Sequence, residues 1–224
     1  MRQVLALAAG LLAAGPAAAG DTVADRVFSA GLLGGITSPA LLRYHYEMRG
    51  TTLKEPFGSQ VAMDVREVAQ DGQKKVWLDM FEGPNHRALG PIDAREQNPL
   101  VLVFLQRDVA QMGGLTGGAS GYFQQQIRRA FSKPAEISQV SIELEGRPVQ
   151  ATRLVMHPFR DDPAIERFPK FRDKQYEFVV APEVPGGLYR IAARTPDATG
   201  NTVLEESMTF DAIDRPAVAG QGTR

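Results

Sequence analysis

The chain has 224 residues, of which 43% are hydrophobic and 23% are charged, and its formal net charge is −1. Because basic and acidic residues balance and are scattered along the chain, we expect no surface that would bind nucleic acid. The sequence contains no cysteine, which excludes disulfides, thiolate nucleophiles, cysteine-ligated metals and a lipidated N-terminal cysteine.

Residues 1–19 have the pattern of a secretory signal peptide. Arg2 precedes an apolar run at 4–12, and the small residues at 17–19 form the motif that signal peptidase cuts. We therefore predict cleavage near Ala19 and export to a bacterial-type periplasm.

The remaining chain has the composition of a globular protein. Its longest later apolar run, 100–105, is far shorter than the ~18 residues of a membrane span, so no transmembrane segment is expected. Residues 20–214 are predicted to form one α+β domain, because domains of this size are common among sheet proteins. Residues 215–224 show no apolar periodicity and are predicted to be a disordered tail.

The first half of the mature chain predicts a short helix and three strands. Apolar residues at helical spacing predict a helix within 21–33. Alternation of apolar and polar residues over 42–48 predicts a half-buried strand. Two further alternating runs, 61–65 and 76–80, flank Asp71-Gly72, and an Asp-Gly pair between such runs is a strong signal for a β-hairpin.

A helical insertion is predicted at 98–133. The preceding segment, 83–97, contains proline and glycine without periodicity and predicts a loop. Asn98-Pro99 then supplies an N-cap and a first-turn proline for a helix that should continue until Gly113-Gly114. A second helix is predicted from about Ser120 to the residues before Pro134.

Beyond the insertion the chain returns to alternating runs that predict strands. These runs are 140–144, 149–157, 176–180, 188–195 and 204–210. The total is about eight strands, with the helical insertion between the third and the fourth. Strands grouped in this way are typical of α+β proteins. We therefore predict a curled antiparallel sheet, an incomplete β-barrel, with the two-helix insertion packed on its concave face.

Two consecutive segments of the predicted sheet resemble a known family. The segments KQYEFVV (174–180) and PGGLYRI (185–191) are similar to the late strand pairs of the half-open β-barrels of periplasmic lipoprotein carriers of the LolA, LolB and LppX kind, and of related uncharacterised exported proteobacterial proteins. The order of elements is similar over most of the mature chain, but no single residue matches a known functional position. Because those carriers bind acyl chains between the concave face and a helical lid, the resemblance implies a role with a hydrophobic ligand.

Aromatic residues are the candidates for a ligand site. Most lie on predicted apolar faces, where core packing is the default role. Trp77 and Phe81 fall on the strand face opposite Val76 and Leu78, so this strand is apolar on both sides and one side would meet a helix or a cavity. If the barrel is incompletely filled, the predicted lining residues are Tyr44, Tyr46, Trp77, Phe81, Phe104 and Phe123.

The sequence predicts no catalytic residue, no metal site and no cofactor. His45, His86 and His157 lack the HxH or HExxH spacing of zinc ligands. The glycine-rich segment 113–121 lacks the Lys-Ser/Thr pair of a phosphate loop, so it is interpreted as an interhelical turn or hinge. Ser120 falls one residue short of a GxSxG frame.

Three functions remain open. The first is a monomeric, non-enzymatic periplasmic protein that binds a lipid or an acyl chain in a cavity of the curled sheet. The second is an envelope interaction or structural protein with a filled core. The third is an enzyme whose Asp, Glu or His residues are brought together only by folding. A cavity favours the first, a filled interior the second, and a cleft with convergent polar groups the third.

Overall fold

The structure is a computed structural model, and it describes residues 22–28, 32–95 and 97–215. The predicted signal peptide, and the predicted tail apart from Arg215, lie outside the described residues. Of the helices in the described ranges, none combines the length and the hydrophobicity that crossing a membrane requires.

The nine strands of the described chain form a single antiparallel sheet. They are β1 (Ala40–Arg49), β2 (Phe57–Val68), β3 (Lys74–Met80), β4 (Arg87–Ala94), β5 (Glu136–Leu144), β6 (Arg147–Met156), β7 (Gln175–Val180), β8 (Leu188–Pro196) and β9 (Thr202–Asp214). Their order in space is β4-β3-β2-β1-β9-β8-β7-β6-β5, so the pairing of β1 with β9 joins the two halves of the chain. The strands β4 and β5 lie at the two edges, and the curled sheet is not closed. The predicted α+β fold with a curled, incomplete barrel is confirmed.

The structure has one strand more than the sequence predicts. The strand β4 lies inside 83–97, where the sequence predicts a loop, and that prediction is wrong for 87–94. Almost every side chain of β4 is exposed, so no alternation marks it in the sequence. The strand forms because its backbone pairs with β3, from Lys74 opposite Ala94 to Met80 opposite Arg87. An edge strand of this kind depends on its neighbour rather than on its own apolar pattern.

The strands β2 and β3 form the hairpin that the alternating runs around Asp71-Gly72 predict. Val61 lies opposite Met80, and Met63 lies opposite Leu78, so the apolar side chains of both strands share the concave face. The neighbouring strands continue this face with fully buried side chains, which are Leu42, Tyr44, Tyr46, Ile191 and Met208. The concave face is therefore apolar across the middle of the sheet.

Three α-helices accompany the sheet: α1 (Val23–Val27), α2 (Pro99–Leu115) and α3 (Ser120–Phe131). The helix α1 is shorter than the predicted 21–33. The Asn98 side chain caps α2, because its Oδ1 accepts a hydrogen bond from the Leu100 N–H at 3.0 Å. The helix α2 continues through Gly113, where an added Cβ would lie only 1.9 Å from Ser120 Oγ. This glycine lets the end of α2 and the start of α3 pack closely.

Gly50, just after β1, packs closely against the first residues of β9. Its φ is +151°, and a Cβ added to it would lie 2.2 Å from the Val203 carbonyl oxygen. Gly72 also has a positive φ, +85°, but its Cβ would meet no atom within 4 Å. We expect Gly50→Ala to lower the free energy of unfolding by about 1–3 kcal/mol more than Gly72→Ala, because backbone atoms cannot move aside. Urea unfolding measures both losses, and equal losses would contradict this packing.

Candidate functional site

Helix α2 covers the middle of the concave face. Its buried residues recur at helical spacing and form one stripe towards the sheet; they include Leu100, Val101, Phe104, Leu105, Asp108 and Met112. Beside α2, the Phe131 ring of α3 lies 5.7 Å from the Phe178 ring of β7. The Phe123 ring lies within 5.5 Å of three further rings, those of Phe159, Phe168 and Phe171. Aromatic and aliphatic side chains therefore fill the space between the helices and the sheet.

The six aromatic residues predicted to line a cavity lie in three environments. Four are buried in the filled middle: Tyr44, Tyr46, Phe104 and Phe123. Phe81 packs on Tyr46, with ring centroids 4.7 Å apart. Trp77 is half-buried on the other face of β3, where the Arg66 guanidinium lies 4.4 Å from its ring centroid. The prediction that Phe81 shares the face of Trp77 is wrong. Phe81 follows the end of β3 with a left-handed φ of +64°, so the strand alternation does not extend to it, and its ring packs on Tyr46 of the concave face. A ligand role for the six residues stays a prediction.

A buried ion pair fastens α2 to the sheet. Lys174 Nζ donates a hydrogen bond to Asp108 Oδ1 at 2.8 Å, and the two side chains are 3% and 1% exposed. The Tyr176 hydroxyl donates to the other Asp108 oxygen. Burial, and after it the Asp108 charge, raises the pKa of Tyr176 well above its usual value. The hydroxyl therefore stays protonated and keeps donating to Asp108.

Sequence reasoning did not identify Asp108 and Lys174, although a signal for Asp108 was present. Asp108 lies four residues after Phe104 and four before Met112, on the apolar stripe of α2. A carboxylate on such a stripe indicates a buried partner, because an unpaired buried charge is very costly. The pattern does not identify the partner, since Lys174 is 66 residues away.

Arg107 forms a second charged link between α2 and the sheet. Its Nε donates to Glu206 Oε1 at 2.7 Å, and its Nη2 donates to the Tyr46 hydroxyl at 2.8 Å. The Glu206 side chain is 2% exposed, and its other oxygen has no hydrogen-bond partner among the described residues. Burial raises the pKa of Tyr46 above its usual value, and the nearby Glu206 charge raises it further. Together with the Asp108 pair, this link holds α2 at the Tyr46 end of the sheet.

Asn98 fixes the other end of α2. Its side chain is fully buried, and its Nδ2 donates to the Gly186 carbonyl at 3.3 Å while its Oδ1 caps the helix. Gly186 belongs to the loop between β7 and β8 and lies against Leu42, near the start of β1. The start of α2, this loop and the start of β1 therefore meet at one end of the concave face.

A groove of about 450 Å³ opens beside this loop, and we call it the rim groove. Its walls come from the segment before β1, from β6 and from the end of β7 with the following loop. The main lining residues are Leu32, Gly35, Ile36, Thr152, Val180 and Val184. Most of this lining is apolar.

A second pocket, of about 330 Å³, opens at the opposite end of the concave face. We call it the arginine pocket; its lining residues are Met48, Phe57, Phe81, Asn85, Arg87 and Arg107. The strand β1 runs from one opening to the other, since Leu42 lies near the rim groove and Met48 lines the arginine pocket. The concave face is thus filled in its middle and has an opening at each of these two ends. Arginines line both openings, Arg26 and Arg215 in the rim groove and Arg87 and Arg107 in the arginine pocket.

None of the three histidines lines either opening, although His86 lies next to Asn85 and Arg87 of the arginine pocket. His45 is exposed on the outer side of β1, His86 Nε2 lies 3.1 Å from Asp79, and His157 Nδ1 lies 3.0 Å from Arg160. Within the ranges that the structure describes, no three His, Asp or Glu side chains converge as metal ligands would.

Comparison with known proteins finds similar solved structures only. No family model and no curated protein matches the chain. It is similar to the lipoprotein LppX of Mycobacterium tuberculosis, with 9% identity, a TM-score of 0.33 and coverage of 83% of this chain and 92% of that one. It is also similar to LprF of Mycobacterium bovis, with 8% identity, a TM-score of 0.29 and coverage of 88% and 94%.

A LolA superfamily protein of Nitrosomonas europaea is similar as well, with 9% identity, a TM-score of 0.25 and coverage of 88% and 96%. The resemblance to LolA-like and LppX-like proteins that the sequence indicates is therefore found again among solved structures. Its identities and TM-scores are too low to carry an argument about function.

The buried ion pair gives a stability prediction. Lys174→Met removes the cation and leaves the Asp108 carboxylate buried, so we expect a loss of about 3–5 kcal/mol in the free energy of unfolding. The double variant Lys174→Met with Asp108→Leu should recover most of this loss, because no charge is then left unpaired.

The matched control is Arg43→Gln, which breaks the exposed pair between Arg43 and Asp214, whose side chains are 49% and 55% exposed. Exposed pairs contribute only about 0–1 kcal/mol. Urea unfolding measures all the variants. A loss for Lys174→Met no larger than that for Arg43→Gln would show that the pair does not hold α2.

Proposed function

We propose that this protein is an exported, non-enzymatic periplasmic protein that binds a hydrophobic ligand, a lipid or an acyl chain, in the rim groove of its curled sheet. The observation that carries the proposal is the groove itself, about 450 Å³ of open space with mainly apolar walls. Ligand pockets in proteins generally measure about 300–1,000 Å³ and combine an apolar lining with a few polar groups.

The walls of the rim groove suit a hydrocarbon chain. Leu32, Ile36 and Val184 are largely buried although they line the groove, so the core behind them holds them in place. The polar part of the lining comes from Thr152, Glu183, Arg26 and Arg215. Because burial of apolar surface contributes about 25 cal/mol per Å², a chain that covers these walls gains free energy without a specific polar partner.

The filled middle of the concave face supports the groove as the place of binding. A ligand between α2 and the sheet would have to displace Phe104 and separate Asp108 from Lys174. Leaving a buried charge without its partner costs about 3–5 kcal/mol. In the form described, a ligand therefore reaches the concave face from its ends.

The buried carboxylates support a non-enzymatic role. Asp108 of α2 and Glu206 of β9 both lie between the helix and the sheet, and each is paired with a cation from another element. A general acid or base must come within hydrogen-bond reach of its substrate, and these two groups are covered instead. Export is supported by the leader pattern of residues 1–19.

The filled core also favours a second function, that of an envelope protein that acts through its surface. Large side chains such as Tyr44, Phe104 and Phe178 are buried with 1% exposure or less, as in a solidly packed protein. Under this alternative, the purified protein carries no ligand, and organic extraction followed by mass spectrometry recovers no lipid.

Gly35 provides the test of the groove. It lines the rim groove, and a Cβ added to it meets no atom within 4 Å, so Gly35→Trp should narrow the groove without straining the fold. Losing contact with about 60 Å² of apolar wall corresponds to ~1.5 kcal/mol. We therefore expect about tenfold weaker binding of N-phenyl-1-naphthylamine, measured by fluorescence titration.

Gly121→Trp is the matched control, because Gly121 is an exposed glycine of α3 that is equally free of neighbours and lies outside the groove lining. Thermal unfolding checks that both variants keep the fold. Equal affinity of the two variants for the probe, or the absence of saturable binding to the unaltered protein, would contradict the proposed function.

A further inference from the structure

The arginine pocket combines an apolar wall with cationic groups. Its apolar lining residues are Met48, Phe57 and Phe81, and its polar ones are Asn85, Arg87 and Arg107. The rim groove also contains two arginines, Arg26 and Arg215, but it has no aromatic residue in its lining. The arginine pocket differs because its arginines lie beside aromatic rings.

The two aromatic lining residues, Phe57 and Phe81, pack on each other and on the buried Tyr46 ring behind them. The ring centroids of Tyr46 and Phe81 are 4.7 Å apart, and the Phe57 centroid lies 5.8 Å from each of them. Phe81 has φ +64°, a left-handed conformation that is rare for a bulky residue. The next residue, Glu82, donates its N–H to the largely buried Ser59 Oγ at 3.0 Å, which supports this turn. Backbone strain of this kind often occurs at binding sites, so the Phe81 conformation supports a binding role for the pocket.

Two guanidinium groups complete the pocket. Arg107 lies 4.8 Å over the Phe81 ring and is 36% exposed. Its Nε and Nη2 bind Glu206 and Tyr46, while its Nη1 has no hydrogen-bond partner in the part of the chain that the structure describes. Arg87 is exposed, and within the described ranges its only side-chain hydrogen bond is from Nη1 to the His86 carbonyl at 2.6 Å. Because Glu206 neutralises much of the Arg107 charge, Arg87 supplies most of the net positive charge of the pocket.

We propose that the arginine pocket binds the anionic head of an amphiphile, a carboxylate or phosphate joined to a hydrocarbon chain. The free N–H groups of Arg87 and Arg107 donate to the head oxygens, since guanidinium groups suit the planar or tetrahedral oxygens of such anions. The first carbons of the chain lie against Phe57, Phe81 and Met48. This site is separate from the rim groove and does not depend on what the groove binds.

The mixed lining distinguishes this ligand class from two simpler ones. A bare anion would use only the charge and would leave the half-buried Phe57 and Met48 side chains in contact with water. A neutral lipid would leave two arginines at its surface without any partner for their free N–H groups. An anionic amphiphile is the ligand class that contacts both the apolar and the cationic residues of the pocket.

Isothermal titration calorimetry below the critical micelle concentration tests the proposal. The probes are dodecanoate and dodecyl phosphate, with decanol as the neutral chain and inorganic phosphate as the bare anion. We expect saturable binding of one or both amphiphiles, at least about tenfold tighter than that of either simpler probe. The preferred amphiphile identifies the head as a carboxylate or a phosphate.

Arg87→Gln should weaken amphiphile binding by about tenfold, because it removes the main charge that attracts the head. Arg43→Gln is the control, since it removes one exposed arginine on the other face of the sheet. Gly35→Trp should leave this binding unchanged, which separates the result from the test of the rim groove. Equal affinity of Arg87→Gln and Arg43→Gln for the amphiphiles, or binding of decanol or phosphate as tight as that of the amphiphiles, would overturn the proposal.

Discussion

The ion pair between Asp108 and Lys174 fixes where helix α2 lies on the sheet. A curled sheet that does not close leaves a concave apolar face, and that face must be covered. Apolar contacts alone would tolerate several positions of an amphipathic helix, since the hydrophobic effect is not directional. A carboxylate on the apolar stripe of α2 is satisfied only where it meets Lys174 and Tyr176. The charge therefore selects one position for the helix among the apolar alternatives.

The rest of the concave face follows from this position. With Asn98 bound to the β7–β8 loop at one end and Arg107 bound to Glu206 and Tyr46 at the other, α2 fills the middle of the face and leaves its ends open. The aliphatic side chains of the rim groove come from the end of β7 and from the segment before β1. The positive charge of the arginine pocket comes from Arg107 of α2 and from Arg87 of the edge strand β4.

The sequence predicts the parts of this fold that depend on local pattern. The hairpin around Asp71-Gly72, the capped start of α2 at Asn98 and the curled antiparallel sheet all follow from alternation, turn chemistry and helical spacing. The strand β4 could not be predicted in this way, because its side chains are exposed and only pairing with β3 makes it a strand. The openings could not be predicted either, since they depend on how far α2 covers the face. Strand alternation predicts that Tyr44 is buried, and helical spacing predicts the same for Phe104. Neither pattern shows that the two side chains lie away from both openings.

Photocross-linking tests most directly whether ligands enter only at the ends of the concave face. The purified protein would be exposed to a neutral alkyl diazirine, irradiated, digested and mapped by mass spectrometry. We expect saturable labelling at 32–36 and 180–187, with residues 100–112 of α2 and the strand residues beneath them unlabelled. Labelling concentrated on α2 and on Tyr44 would contradict this expectation, because α2 would then have to leave the sheet when a ligand binds.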